Sequence, residues 1–472
     1  MIIKLCLSLL ISLSVGFIFI QSFLPIRKNF FAQFLLKISL AVGLGYGITS
    51  CTYFLTLLTI GPQIDGVIVS EATLLFFLSC FFVYRSKPIR SSEYYGEHEK
   101  AFHDVKLSRI ISIGFYSVLI LAFVNMVYMA LLMPGGTWDA WAMWNMRARF
   151  IFRGGEYWRD AFSSLLFFKF HPDYPLLISL SVARCWTYVG KEFAEGPILI
   201  SLLIPIAIVC LLYSAVTMLR GKSQGMLASI VLLSTPIFIS QAPRQLADIP
   251  IAFFFLASII LLFYQDRYTG HYGFSSLSGL MAAFSGWTKN EGLLFLVSII
   301  VAGIVAAYFS QDRKRHMKQL TYFVLGSMPV IAIIIYFKVY LAPQNDIVSG
   351  QELGKIIERV GDIARYIEIL KALLLEVIFK FPNIFLLLLY LLYSNVKIHD
   401  NRKISVYRSI LVLTFMMLGY FGIYLVTPHD LAWHLRWSLD RILLQLWPSI
   451  IFTFFMIVRT PEEILIGSLK RG

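Results

Sequence analysis

Apolar runs long enough to cross a membrane recur along the whole chain, separated by short polar connectors. A spanning helix needs about 20 apolar residues. Runs of that kind lie near 4–25, 36–60, 65–84, 110–133, 197–218, 225–241, 248–264, 275–287, 292–309, 320–341, 382–395, 406–426 and 442–458. The pattern predicts an all-α polytopic membrane protein with about 11–13 transmembrane helices. The runs at 275–287 and 382–395 are short, which predicts tilted helices or helices buried in the bundle. Residues 345–380 instead alternate apolar and charged positions at helical spacing, predicting one or two amphipathic helices on the membrane surface. The first run lacks a small-x-small cleavage site and reads as a retained helix rather than a signal peptide.

Composition sharpens this picture. Of 472 residues, 58% are hydrophobic and only 14% charged, against roughly a quarter charged in soluble domains. The net charge of +14 would hint at nucleic acid in a soluble protein. In a membrane protein it reads as basic helix ends facing cytoplasm and anionic lipid, with no nucleic-acid partner. Four of the five cysteines lie in apolar runs and none form a CxxC pair, so no disulfide framework or thiolate metal site is expected.

The connectors set an orientation. Positive clusters occur at 25–30, 84–109, 220–224, 311–318, 397–403 and in the C-terminal tail, and thirteen alternating spans put all six on one side. The positive-inside rule makes that side cytoplasmic. The segments 134–196, 241–248, 286–292, 342–381 and 427–441 then lie outside, and they hold nearly every unusual polar cluster. One chamber on the outer face would account for this. The chain divides into N-terminal helices and a cytoplasmic loop (1–109), a core (110–341) with the outer loop 134–196, an outer amphipathic segment (342–381) and C-terminal helices (382–472).

Five clusters carry candidate chemistry. In "PGGTWDAWAMWNMRARF", 134–150, Asp139 stands alone among Trp138, Trp141 and Trp144, with Arg147 and Arg149 following. A carboxylate at that depth can accept a proton from a hydroxyl; the alternative is an interfacial acid paired with Arg147 in a tryptophan belt. In "KFHPDYPLL", His171 and Asp173 can bind a sugar or, more weakly, a divalent metal; the alternative is a proline-stiffened helix entry with Asp173 near the helix start. In "QAPRQLADIPIAFFF", Arg244 can meet a lipid-linked phosphate, while Asp248 before Ile249 and Pro250 suits an N-cap. In "GWTKNEG", Lys289, Asn290 and Glu291 sit between two apolar runs, where Lys289 offers a point charge for a phosphate and a plain tight turn is the alternative. In "HDLAWHLRWSLDRILLQLWP", His434, Arg441 and Asp430 share one helical face, with Arg436 nearby; a cationic helix start can stabilise a departing phosphate.

The order "WDAWAMW", "HPDYPLL", "ADIPIAFF", "GWTKNEG" and "HLRWSLDRILLQLWP" resembles the GT-C superfamily of polytopic glycosyltransferases. More narrowly, it is similar to bacterial members of the dolichyl-phosphate-mannose mannosyltransferase and aminoarabinose transferase type. The resemblance covers roughly residues 110–460 and implies a GT-C-like bundle with outer-face amphipathic helices. It implies an inverting transfer of a sugar from a polyprenyl-phosphate donor to a hydroxyl on a glycan, lipid or protein. Asp139 takes the place of the family's catalytic base; many members carry a close second acid there, whereas Glu156 and Asp160 come much later here. Arg244, Lys289, Arg436 and Arg441 are the expected phosphate ligands. His171, Asp173, Asp248, Asn290, Glu291, His434, Trp138 and Trp141 are expected to bind or orient sugar and acceptor. No particular cofactor is implied; a divalent metal is compatible with the pattern but not required. The implied setting is a bacterial inner membrane with the site facing the periplasm, in envelope glycan modification. A lipid-linked glycan polymerase or ligase, a flippase or transporter of lipid-linked sugars and a non-catalytic lipid-sensing bundle are the alternatives.

Overall fold

A computed structural model describes residues 1–24, 30–85, 105–166, 170–345, 351–399 and 402–469. Its regular structure among those residues is helical, apart from one isolated bridge between Val396 and Val458. The chain opens with α1 (Ile2–Phe23), α2 (Phe30–Thr59), α3 (Ile64–Arg85) and α4 (Val105–Leu132). Two short helices follow, α5 (Asn145–Arg153) and α6 (Leu177–Val189). The middle holds α7 (Glu195–Arg220), α8 (Lys222–Leu233), α9 (Pro236–Gln241), α10 (Asp248–Arg267), α11 (Gly273–Thr288), α12 (Glu291–Phe309) and α13 (Arg313–Tyr340). The last part holds α14 (Leu353–Gly361), α15 (Ile363–Lys380), α16 (Asn383–Ser394), α17 (Lys403–Val426), α18 (Leu431–Ile457) and α19 (Pro461–Leu469).

Ten of the described helices are long and apolar enough to cross a membrane, and two bent pairs raise the number to as many as twelve. The bent pairs correct the picture of simple spans at 225–241 and 382–395. Between α8 and α9 the chain turns by 66° at Ser234–Thr235, and between α15 and α16 by 83° at Phe381–Pro382. Pro236 and Pro382 lack an N–H and release carbonyls from the preceding turn. In lipid those groups need partners inside the protein. The Thr235 hydroxyl bonds Val231 O at 2.7 Å, and Asn383 donates to Val231 O at 2.8 Å and to the Ser234 hydroxyl at 2.8 Å. Trp447 Nε1 donates to Thr235 Oγ1 at 2.9 Å. Asn383, just past the second break, thus serves the first one, beside α18.

The centre is α10, buried along its whole spanning length. The short run expected at 275–287 is α11, whose side chains from Phe274 to Thr288 are almost all buried. Small residues let helices touch backbone to backbone. A Cβ on Gly16 of α1 would lie 2.0 Å from Ala41 O of α2, and one on Gly326 of α13 would lie 2.0 Å from Ser276 O of α11. The segment expected to hold surface helices contains α14, with no buried residue, and α15, which buries only Ile369. The basic clusters at 25–29 and 86–104 and the end of the C-terminal tail lie outside the described residues.

One polar network ties α3 and α6 together. Arg184 of α6 donates through Nε and Nη2 to Glu71 of α3 at 2.5 and 2.7 Å, and both side chains are 2% exposed. Tyr188 donates to the same carboxylate at 2.5 Å, and Arg184 Nη1 donates to Ser8 and Ser12 of α1. A buried ion pair is tolerated when all its donors are satisfied in this way.

Candidate functional site

Asp139 is delivered by a tight local construction. Gly136 has φ 72°, and a Cβ there would lie 2.5 Å from the Ala140 Cβ and 2.7 Å from Arg244 O, so glycine is required. Asp139 then opens a wide helical turn over Ala140–Trp144, in which Asn145 N–H bonds Ala140 O five residues back. Such π-type turns often occur at functional sites. The loop and the start of α5 are stitched to Arg244 and Gln245, in the segment between α9 and α10, by three bonds. Thr137 N donates to Arg244 O (3.4 Å), Gln245 Nε2 to Pro134 O (2.9 Å) and Asn145 Nδ2 to Gln245 Oε1 (2.8 Å).

Four sequence-distant segments converge on this loop. Arg441 of α18 donates from Nη1 to Asp139 Oδ2 at 2.5 Å and from Nε to Asp248 Oδ2 at 2.8 Å. Asp248 Oδ1 in turn accepts from Lys289 Nζ at 3.0 Å and from Gln445 Nε2 at 2.8 Å. Lys289 also reaches Glu291 Oε1 at 2.7 Å, and Tyr420 donates to Gln445 Oε1 at 2.8 Å. Carboxylate and cation alternate along the chain Asp139–Arg441–Asp248–Lys289–Glu291. The ends are partly accessible, at 23% for Asp139 and 20% for Glu291, while Asp248 is fully buried. Three carboxylates face two cations. Lys289 sits in the turn between α11 and α12. Burial alone would lower its ammonium, but Asp248 and Glu291 outweigh burial and hold it above its ordinary value.

The network continues into the 171–174 segment. Asp173 Oδ2 accepts from Asn290 Nδ2 (3.0 Å) and Asn345 Nδ2 (2.8 Å), and Lys338 Nζ lies 3.5 Å away. His171, at φ 43°, stacks on Tyr174 with ring centroids 4.7 Å apart. Trp138 and Trp141 are about half exposed and pack edge to face, 6.0 Å between centroids. His434 bonds Thr427 Oγ1 through Nδ1 at 3.0 Å and lies two turns ahead of Arg441 on α18.

Several expectations change. Asp139 does not pair with Arg147. Arg147 is buried, donates to Tyr174 O at 2.6 Å and lies 5.0 Å from the Trp144 ring centroid. Burial pulls its guanidinium down to about 10, against the pull of Asp173 and Tyr174. Asp248 is not an N-cap: Ala247 holds that position, and the Asp248 side chain turns inward to Arg441 and Lys289. Asp248 therefore positions cations and presents nothing to a sugar in this state. Asp173 lies shortly before α6, which begins at Leu177, but its carboxylate serves Asn290 and Asn345 rather than the helix start. Asp430 caps α18 by accepting from Trp433 N at 2.8 Å, away from Arg441. Arg436 is exposed beside the Trp437 ring, on another face of α18, and does not join the cluster. Lys289 and Arg441 are each held by two carboxylates. Arg244 is half-buried and, among the described residues, has no hydrogen bond or ion pair from its guanidinium.

Sequence reasoning missed Gln445, Tyr420 and Lys338, and gave Arg147 the wrong partner. Gln445 and Lys338 had a legible signal, a lone polar residue inside an apolar run, and Gln445 follows Arg441 by one helical turn. Among the described residues no three His, Cys, Asp or Glu side chains group as a metal site. A small cavity of about 20 Å³, room for a water, lies under the loop against Asn145, Gln245 and Pro250. No family model, curated protein or solved structure matches the chain.

Proposed function

We propose that the protein is a membrane glycosyltransferase that moves a sugar from a polyprenyl-phosphate donor to an acceptor hydroxyl at the Asp139 end of the bundle. The observation that carries this reading is the convergence of the loop acid Asp139 with Arg441, Asp248, Lys289 and Glu291, residues up to 302 positions apart. A chamber that binds a phosphate and abstracts a proton needs a partly accessible carboxylate beside cations, and this end supplies both.

In this reading Asp139 takes the proton of the acceptor hydroxyl as its oxygen attacks the anomeric carbon. The bond from that carbon to the phosphate oxygen breaks, and its electron pair leaves with the phosphate. Attack from the opposite face inverts the configuration. Among the described residues the Arg244 guanidinium pairs with no carboxylate, and its backbone adjoins the Asp139 loop, so it is our first choice for the phosphate. Lys289 and Asp248 hold the geometry. Trp138 and Trp141 offer rings to a sugar face. The basic connectors favour an arrangement in which the Asp139 end faces out of the cytoplasm, the periplasm in a bacterial inner membrane. Mass analysis of envelope glycans from cells with and without the protein tests this. One sugar residue should be lost without it and restored by the wild type but not by Asp139→Asn. Unchanged glycans, or full restoration by Asp139→Asn, would overturn the assignment.

A further inference from the structure

We propose that Arg441 is an exchangeable clamp: it occupies Asp139 in the resting protein, and an incoming phosphate group draws its outer nitrogen away, releasing the carboxylate. The proposal rests on the transferase reading above and adds a step to it.

The two prongs of Arg441 differ. Nε is tied to Asp248, which is fully buried and is also gripped by Lys289 and Gln445. Nη1 is tied to Asp139, which is 23% exposed and, among the described residues, has no other hydrogen-bond partner. The inner prong is therefore an anchor and the outer one a movable arm. Asp139 Oδ2, 2.5 Å from Arg441 Nη1, has a lone pair engaged by the guanidinium, so an acceptor hydroxyl cannot use that lone pair while the arm is in place. If Asp139 is to take a proton through Oδ2, the oxygen that Arg441 holds, the outer arm has to let go first. Planar, charge-bearing guanidinium nitrogens bind phosphate as readily as carboxylate, so a phosphate competes directly for the outer arm. Arg244, whose carbonyl already meets the Asp139 loop, supplies a second cation on that side. The exchange conserves charge. The phosphate diester enters with one negative charge and takes over the arm, and Asp139 is left as the free carboxylate that the departing proton requires. Base activation is thereby made conditional on a loaded donor, and an acceptor hydroxyl arriving alone finds the base blocked.

A double-mutant cycle on binding, independent of turnover, tests the exchange. The probes are a polyprenyl monophosphate in detergent micelles and, separately, inorganic phosphate; binding is read from the fluorescence of Trp138 and Trp141. In the wild-type background, Asp139→Asn should tighten binding about tenfold, because the arm no longer has to leave a carboxylate. In an Arg441→Lys background, whose ammonium cannot span both carboxylates, the same substitution should change binding by less than about twofold. Should Arg441→Lys not fold, the Arg441→Gln/Asp248→Asn pair serves as the background, since it removes the buried charge that the first change strands. Equal gains in both backgrounds would mean simple relief of like-charge repulsion and would overturn the clamp alone. No binding of either probe by the wild-type protein would overturn the clamp and the transferase reading together. Coupling seen with both probes or with the lipid alone supports the clamp, and the comparison shows whether the tail contributes.

Discussion

Asp248→Asn should destabilise the fold far more than Asp139→Asn, although the two acids share Arg441. Asp248 is fully buried and accepts three bonds, from Arg441, Lys289 and Gln445. Removing one member of a buried ion pair costs about 3–5 kcal/mol, because the remaining charge is stranded. Asparagine keeps the shape and one acceptor, and Arg441 and Lys289 retain Asp139 and Glu291, so the low end, ~3 kcal/mol, applies. Asp139 is 23% exposed and makes one ion pair, and Arg441 keeps Asp248 when Asp139 is neutralised. Its loss should cost ~1 kcal/mol or less. The gap of ~2 kcal/mol corresponds to roughly a thirtyfold difference in folding constant. Reversible unfolding of the purified protein in mixed detergent and SDS micelles measures both. Equal destabilisation by the two substitutions would refute the division into a buried anchor and a working carboxylate. So would a neutral Asp248→Asn.

Other outcomes follow from the same geometry. Glu71→Gln should cost about 3–5 kcal/mol by stranding Arg184 in the bundle, and a paired Glu71→Met, Arg184→Met protein should recover most of it, measured by thermal melting in detergent. Asn383→Leu should cost about 1 kcal/mol by removing the amide that donates to Val231 O and the Ser234 hydroxyl at the α8–α9 break, with Val231 O keeping the Thr235 hydroxyl, on the same melt. Burial alone would raise the Glu463 carboxyl, but the Thr460 N–H, Arg220 and Lys397 outweigh it and hold it at about 2, against 4.5 ordinarily. A depressed carboxyl contributes stability above its unfolded value, here near 4.5, that is lost as pH falls toward 2. Glu463→Gln should flatten the pH dependence of unfolding in that window, worth ~3 kcal/mol at most. A cysteine placed at Tyr157, 74% exposed in the same 134–196 segment as Asp139, should react with an impermeant maleimide from outside intact cells; labelling only after lysis would reverse the orientation.

Helix existence was legible because a membrane core leaves a chain few options: about 20 apolar residues with internally bonded backbone. What the apolar runs did not disclose was the two bends. Pro236 and Pro382 mark them, but whether a proline kinks, caps or ends a helix depends on who bonds the freed carbonyls, and Asn383 is 148 positions from Thr235. The site was legible as types rather than as pairs. Lone acids and bases at the ends of apolar runs stood out, and four such segments do meet. Their partners did not stand out, since Arg147 is a neighbour of Asp139 in sequence and Arg441 is 302 positions away. Asp248 shows the limit best. An Asp before Ile-Pro fits an N-cap by every local rule, and a buried Lys289 across the gap overrode it. Glu71 was the plainest missed signal, a single acid well inside the apolar run of α3.

The distribution of charge through the bundle bears on the choice between transfer and transport. A conduit for a lipid-linked sugar needs polar groups on both sides of the midplane, joined by a path. A second buried network exists at the opposite end of α10, where Asp266 accepts from Arg408 (2.7 Å), Ser405 (2.5 Å) and Gln319 (3.0 Å). Between Asp248 and Asp266 the helix runs apolar and buried; before Gln265 its polar groups are the Ser258 hydroxyl, bonded to Ser278 of α11, and the Tyr264 hydroxyl, turned to the Met218 sulfur. Aromatic rings fill that interval, with Phe255 stacked on Phe295 at 4.1 Å and Phe263 edge-on to Phe452 at 5.0 Å. The two networks are thus separated by close-packed core, and opening a route between them would mean parting α10 from α11 and α18. Each network also closes on itself, cation against carboxylate, at its own end. At the Asp266 end Arg408 and Asp266 are both 6% exposed, which is the condition of a structural pair. At the Asp139 end the terminal carboxylates keep an open edge near two exposed tryptophans and Arg244, which among the described residues has no carboxylate of its own. Chemistry confined to one membrane face needs that asymmetry, and transport through the bundle does not.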